Sequence, residues 1–138
     1  SFTFTKHKSL IFVAGGTGIT PFLSFLEHAI DNNIDNDIRL YYGVRKPEYL
    51  IFGSLLEQCK KSLKNFSQQI FIENAQEEET NLKVNKGVLD INLIINSTKD
   101  TKEGVYFLAG PRPMIESFKK TLKSKGIEDD KIFVDSWE

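Results

Sequence analysis

The stretch Gly15-Gly16-Thr17-Gly18-Ile19-Thr20-Pro21 most constrains how this chain can fold. Directly before it runs Leu10-Ile11-Phe12-Val13-Ala14, an apolar run that reads as a strand buried on both faces. Directly after it, Phe22, Phe25, Leu26, Ala29 and Ile30 recur at helical spacing. The glycines therefore sit on a sharp strand-to-helix turn. A backbone without Cβ lets its amides approach a ligand closely. The helix that follows aims unpaired N–H groups and the positive end of its dipole at the same place. Pro21 suits the first helical turn, where its missing N–H is no loss. Such a corner holds an anion, most often a phosphate; the plain alternative is a tight turn with no ligand.

The spacing excludes two common motifs. A P-loop requires Lys followed by Ser or Thr after its last glycine, and Ile19-Thr20 supplies neither. The fingerprint of the ordinary Rossmann fold requires a further glycine two residues on, where this chain has already begun its helix. At 138 residues the chain is long enough for one domain with a real core. Its net charge of -1 gives no electrostatic case for nucleic acid or an anionic membrane. A lone cysteine, Cys59, excludes an internal disulfide framework and cysteine-rich metal sites, and no metal ligand set is expected. No run reaches transmembrane length and no signal peptide opens the chain, so the expected setting is cytoplasmic, or the cytosolic face of a membrane enzyme.

Taken in order, Ser1-Phe2-Thr3-Phe4-Thr5 alternates and Lys6-His7-Lys8 is polar, so residues 1–8 read as the end of a preceding element plus a linker. A second strand is expected over 38–44 and a third over 69–72. Between them Phe52, Leu55, Leu56, Cys59, Leu63 and Phe66 form the apolar face of a helix, which makes Cys59 a packed core thiol rather than a nucleophile. His28 lies beside the first helix's apolar stripe without a catalytic partner. Gln76 to Thr80 is a polar loop, and Lys86-Gly87-Val88 begins a weaker helix containing Ile91, Ile94 and Ile95. Val105-Tyr106-Phe107-Leu108-Ala109 is the other wholly apolar strand and ends in Gly110-Pro111-Arg112-Pro113-Met114. A helix burying Met114, Phe118 and Leu122 follows, Gly126 stops it, and Lys131 to Val134 is the last strand.

Strand and helix alternate throughout, which predicts an α/β fold of three layers: a parallel five-stranded sheet, order 3-2-1-4-5, with helices on both faces. The first and fourth strands are then adjacent at the switch point. Both glycine turns leave their carboxyl ends and face one crevice, where ligands of such sheets bind.

Gly16-Thr17-Gly18-Ile19-Thr20-Pro21, Tyr42-Gly43-Val44-Arg45 and Ala109-Gly110-Pro111-Arg112-Pro113-Met114 resemble the signature stretches of the ferredoxin–NADP⁺ reductase superfamily, in its C-terminal nicotinamide-dinucleotide domain. The resemblance covers essentially the whole chain. It implies that the turn from Gly15 to Pro21 holds the pyrophosphate and that the nicotinamide lies near Thr17, Ala109 and Gly110. It further implies that Arg45 lies near the adenosine ribose and that Pro111 and Arg112 line the nucleotide groove. Met114 suits either that groove or the core. In the family a preceding β-barrel carries the flavin, here expected to be FAD. Residues 1–8 then end that flavin domain or link to it, residues 9–138 are the NAD(P)-binding domain, and Ser1 suggests a piece cut from something longer.

Three departures qualify the match. Ala109 stands where many members have Cys. Asn74-Ala75-Gln76-Glu77-Glu78-Glu79 stands where members preferring NADPH place Ser and Arg, so repulsion by the carboxylates gives a slight lean to NADH, against Arg45 and Lys46. Arg39-Leu40-Tyr41-Tyr42 matches the barrel's flavin motif only superficially, and Asp135-Ser136-Trp137 resembles the terminal segment, where Trp137 either lies by the flavin or caps the last strand. The function so implied is a nicotinamide-dinucleotide module, oxidoreductase in kind. It would position NADH or NADPH for hydride transfer to a flavin on a separate barrel domain, which passes electrons to an unidentified acceptor. No acid–base or nucleophilic constellation is visible, and the cofactors carry such chemistry. The alternative is a dinucleotide-sensing or regulatory domain without turnover. A methyltransferase-like domain is disfavoured by Gly110-Pro111.

Overall fold

A computed structural model of the chain describes residues 9–50, 53–75, 84–100 and 103–137. The first apolar run forms β1 (Leu10–Gly15), and one 3-10 turn leads into α1 (Thr20–Asp31). Then come β2 (Ile38–Val44), α2 (Gly53–Ser62), β3 (Phe66–Ile72) and a short β4 (Val84–Lys86). The chain continues with α3 (Ile91–Ser97), β5 (Val105–Pro111), α4 (Arg112–Ser124) and β6 (Ile132–Trp137).

These strands form one sheet, order β4-β3-β2-β1-β5-β6, and every neighbouring pair is parallel. The five-stranded sheet of order 3-2-1-4-5 is thereby corrected to six strands. The five strands foreseen keep their relative places, and β4 adds itself outside β3. Its pairing is carried by main chain over Ile70↔Val84 to Ile72↔Lys86, and Val84 is its only apolar residue, so no apolar run announces it.

The alternation of β1 explains why both faces of the sheet are covered. Leu10, Phe12 and Ala14 point into a core with α1 and α2, while Ile11 and Val13 point into a second core with α3 and α4. On the first side Phe12 stacks on Phe22 at 4.6 Å between ring centroids and meets Phe25 and Phe107 edge-on. On the second, two tyrosines pin the end of α3 to the sheet: Tyr41 shares a 2.8 Å hydrogen bond with Ser97, and Tyr106 another of 2.8 Å with Thr98.

Several boundaries differ from expectation. β3 begins at Phe66, which was expected on the preceding helix; α2 stops at Ser62, and pairing with β2 carries the polar run Ser67-Gln68-Gln69 into the sheet. Lys86 to Val88 is not helical: Lys86 ends β4, and α3 starts only where the Asp90 carboxylate accepts the Asn92 N–H at 2.9 Å. β6 runs on past Val134, paired with β5 as far as Pro111↔Trp137. Gly126 does end α4, in a left-handed conformation (φ +94°), with the Ile127 amide donating to the Leu122 carbonyl. Phe52, Gln76 to Thr80 and residues 1–8 lie outside the described residues.

Candidate functional site

β1 and β5 lie side by side with Ala14 opposite Ala109, so the turns that leave them meet above the same end of the sheet. In the first turn Gly16 adopts φ +58° and is exposed with Thr17, while Gly18 and Ile19 are buried. Ile19 is fully enclosed in the core and anchors the turn from below. Thr20 and Pro21 open α1 at the surface. No acidic side chain stands in the first turn, so no carboxylate of the turn itself opposes the dipole's attraction for an anion.

A cleft of about 420 Å³ opens beside this turn, over the carboxyl ends of β1, β2, β3 and β5. Its floor is Gly15, Gly43 and Pro111, and Met114 and Phe118 from α4 form one wall. Val44, Val88, Leu89 and Tyr49 form the other, and the rim carries Arg45 and Glu73, both exposed. Gly43 is required by space, because a Cβ there would lie 2.9 Å from the Leu89 Cβ. The ends of β2 and β3 are tied together where the Glu73 and Asn74 amides donate to the carbonyls of Val44 and Arg45, at 3.1 Å and 3.0 Å.

The residues singled out from the sequence are thus distributed unevenly. Gly15, Gly16, Arg45, Pro111 and Met114 line the cleft, and Thr17 and Gly18 belong to the adjoining turn. Gly110, expected in a turn, still lies in β5, paired with Ser136, because α4 starts directly after Pro111. Arg112 begins α4 and is exposed, outside the cleft lining. Ala109 is 1% exposed and its side chain belongs to the core on the α1 side, so it presents backbone, not side chain, to Gly18. Trp137 is placed by backbone pairing with Pro111. Tyr49, Glu73, Val88, Leu89 and Phe118 join the cleft without having been foreseen. Tyr49 and Val88 are large apolar side chains left 53% and 66% exposed, a signal that only the fold reveals.

Elsewhere the polar groups are structural. At the opposite end of the sheet, burial opposes the Arg39 charge, but Asp100 and Asp37 more than offset this and raise its pKa; its guanidinium also donates to the Ser97 carbonyl at 3.0 Å. Burial pushes the Cys59 thiol up to about 11, which removes it as a nucleophile near neutral pH. His28 is exposed and hydrogen-bonded to Asn32 at 3.1 Å. A hollow of about 520 Å³ at the amino-terminal edge of the sheet is rimmed by charges of both signs, and its hydroxyls of Thr98 and Tyr106 already pair with each other. Among the described residues no group of three or more His, Cys, Asp or Glu is placed to hold a metal ion. Nor is any helix among them long and apolar enough to cross a membrane.

The deciding comparison is with protein families, where residues 12–120 match the model of the oxidoreductase NAD-binding domain. The chain belongs to that family. It is an oxidoreductase NAD-binding domain. The electron transfer component of anthranilate 1,2-dioxygenase from Acinetobacter baylyi is 32% identical over 127 residues, which are 92% of this chain and 36% of that protein. Among solved structures, a cytochrome P450 reductase from Amycolatopsis shares the fold with a TM-score of 0.78 at 17% identity, over 96% of this chain and 38% of the other. A ferredoxin–NADP⁺ reductase from Neisseria gonorrhoeae, solved with bound FAD and NADP, aligns with a TM-score of 0.71 at 22% identity, over 94% of this chain and 56% of the other. The NAD(P)-binding domain spans little more than a third of the curated relatives it matches first, between 36% and 38% of their length.

Proposed function

We propose that this chain is the nicotinamide-dinucleotide module of a flavin-dependent reductase, holding NADH or NADPH for hydride transfer to a flavin on a separate domain of the same polypeptide. The supporting observation is the meeting of two glycine turns over one apolar cleft at the switch point of a parallel sheet. The residues present fit a dinucleotide. Gly16 leaves an open approach above the turn, and the amides there face the pyrophosphate with the dipole of α1 behind them. The cleft between Val88, Leu89 and Met114 takes the adenosine half. Thr17 and the backbone of Ala109 and Gly110 border the nicotinamide, at the ends of β1 and β5. Bound there, the cofactors supply the hydride chemistry. The chain's share is to fix the approach and to keep water away, which is where most of the rate gain from positioning originates.

The rim supports NADH as the preferred nucleotide. Glu73 would face the adenosine ribose, where a 2′-phosphate would meet its carboxylate, and Arg45 on the same rim counters this only in part. Glu73→Arg is expected to move the ratio of the two affinities toward NADPH by about 1–3 kcal/mol, roughly fivefold to 150-fold. Titrating both nucleotides against both proteins by calorimetry measures it, and an unmoved ratio would place the 2′ position elsewhere.

The function itself is tested in two steps. Calorimetry on this chain should detect nucleotide binding, and no heat with either nucleotide on folded protein would remove the reading. In the full-length polypeptide, NADH should then bleach the flavin in a stopped-flow trace. Binding without bleaching would favour the sensing domain.

A further inference from the structure

The chain holds two sulfur atoms, on one cysteine and one methionine, and the fold treats them oppositely. Cys59 is fully buried on the inner face of α2. Met114 is half-buried and lines the cleft. Its thioether seals the junction of the two turns: a Cβ on Gly15 would lie 2.6 Å from Met114 Sδ, and one on Gly110 would lie 2.9 Å from Met114 Cε. Both glycines therefore make room for this side chain, and its sulfur rests directly on the turn where β1 ends.

We propose that Met114 is a peroxide-oxidised site through which oxidation lowers the nucleotide affinity of the cleft. This rests on the nucleotide reading above and adds to it a means of regulation. In the reaction a hydroperoxide gives its outer oxygen to a sulfur lone pair. The S–O bond forms, the O–O bond breaks, and an alcohol or water leaves. The sulfur is oxidised by two electrons and the peroxide is reduced by two. The sulfoxide is larger and strongly polar. Packed as it is against Gly15, the sulfur has no room for the new oxygen on that side, so the oxygen either enters the cleft or displaces the turn. Each outcome opposes the dinucleotide. Bound dinucleotide covers Met114 and thereby slows its oxidation.

The experiment treats this chain with hydrogen peroxide, follows Met114 by mass spectrometry, and measures NADH affinity by calorimetry with circular dichroism as the control for fold. Expected are a loss of affinity of about tenfold or more on oxidation and recovery after methionine sulfoxide reductases. Slower oxidation at saturating NADH is expected as well. Met114→Leu, whatever its own starting affinity, should show no change on peroxide treatment. The inference is overturned by sulfoxide at Met114 with affinity unchanged, or by Met114 resisting peroxide that oxidises free methionine. An equal peroxide-induced loss in Met114→Leu also overturns it. No binding before any peroxide is added would overturn the nucleotide reading itself, which is a distinct result.

Discussion

Gly18→Ala is expected to lower the thermal midpoint of the folded chain by roughly 10 °C, from a loss of about 3 kcal/mol, the upper part of the range for forced overpacking. Gly18 has an ordinary φ, so the reason is space alone. The added methyl would fall against the Ala109 carbonyl group, 2.5 Å from its carbon, and 2.8 Å from the Gly110 nitrogen. All of these are backbone atoms of β5, held in place by pairing with β1 on one side and β6 on the other. No side chain can swing away to relieve the contact. The start of α1 must lift from the sheet, and Ile19 must leave the core with it. Urea or thermal melts check this directly. A variant as stable as the parent would mean that the two turns lie farther apart than described, and the cleft geometry would have to be redrawn.

The same close approach explains what was legible in the sequence. β1 and β5 stand out because each lies between two helical layers and must be apolar on both faces. Their glycine turns stand out because close packing leaves little or no room for a side chain at Gly15, Gly18 and Gly110, while Gly16 meets a left-handed φ instead. β4 had no such signature. A three-residue edge strand recruits its partner through main-chain hydrogen bonds, which any residue except proline supplies. The cleft walls were hidden for a different reason. Tyr49, Glu73 and Val88 follow β2, β3 and β4 respectively, and only the order of the sheet brings those loops together. Ala109 shows the limit of motif reading. The resemblance implies a place beside the nicotinamide, yet alternation along β5 turns its side chain to the core beside Phe107. A larger residue there would press on α1 before it touched any ligand.

Gly16→Val should separate binding from folding in a way that Gly18→Ala cannot. No atom beyond its chain neighbours lies within 4 Å of a Cβ built on Gly16, so that carbon stands in open space, and the conformational strain arises at φ +58°. A β-branched residue held there loses about 1–3 kcal/mol, which leaves a folded chain. The open space above Gly16 is the approach to the helix start, and two methyl groups in it would hold a pyrophosphate off the amides. Nucleotide affinity is therefore expected to fall about tenfold or more, to the limit of calorimetric detection. Gly16→Asn distinguishes the two effects, since Asn accepts left-handed φ with less strain but still fills the approach. Stability should return toward that of the parent while affinity stays low. If folded Gly16→Val binds NADH as the parent does, the pyrophosphate does not sit on this turn. The anion site would then have to be sought beside Arg45, on the other rim of the cleft.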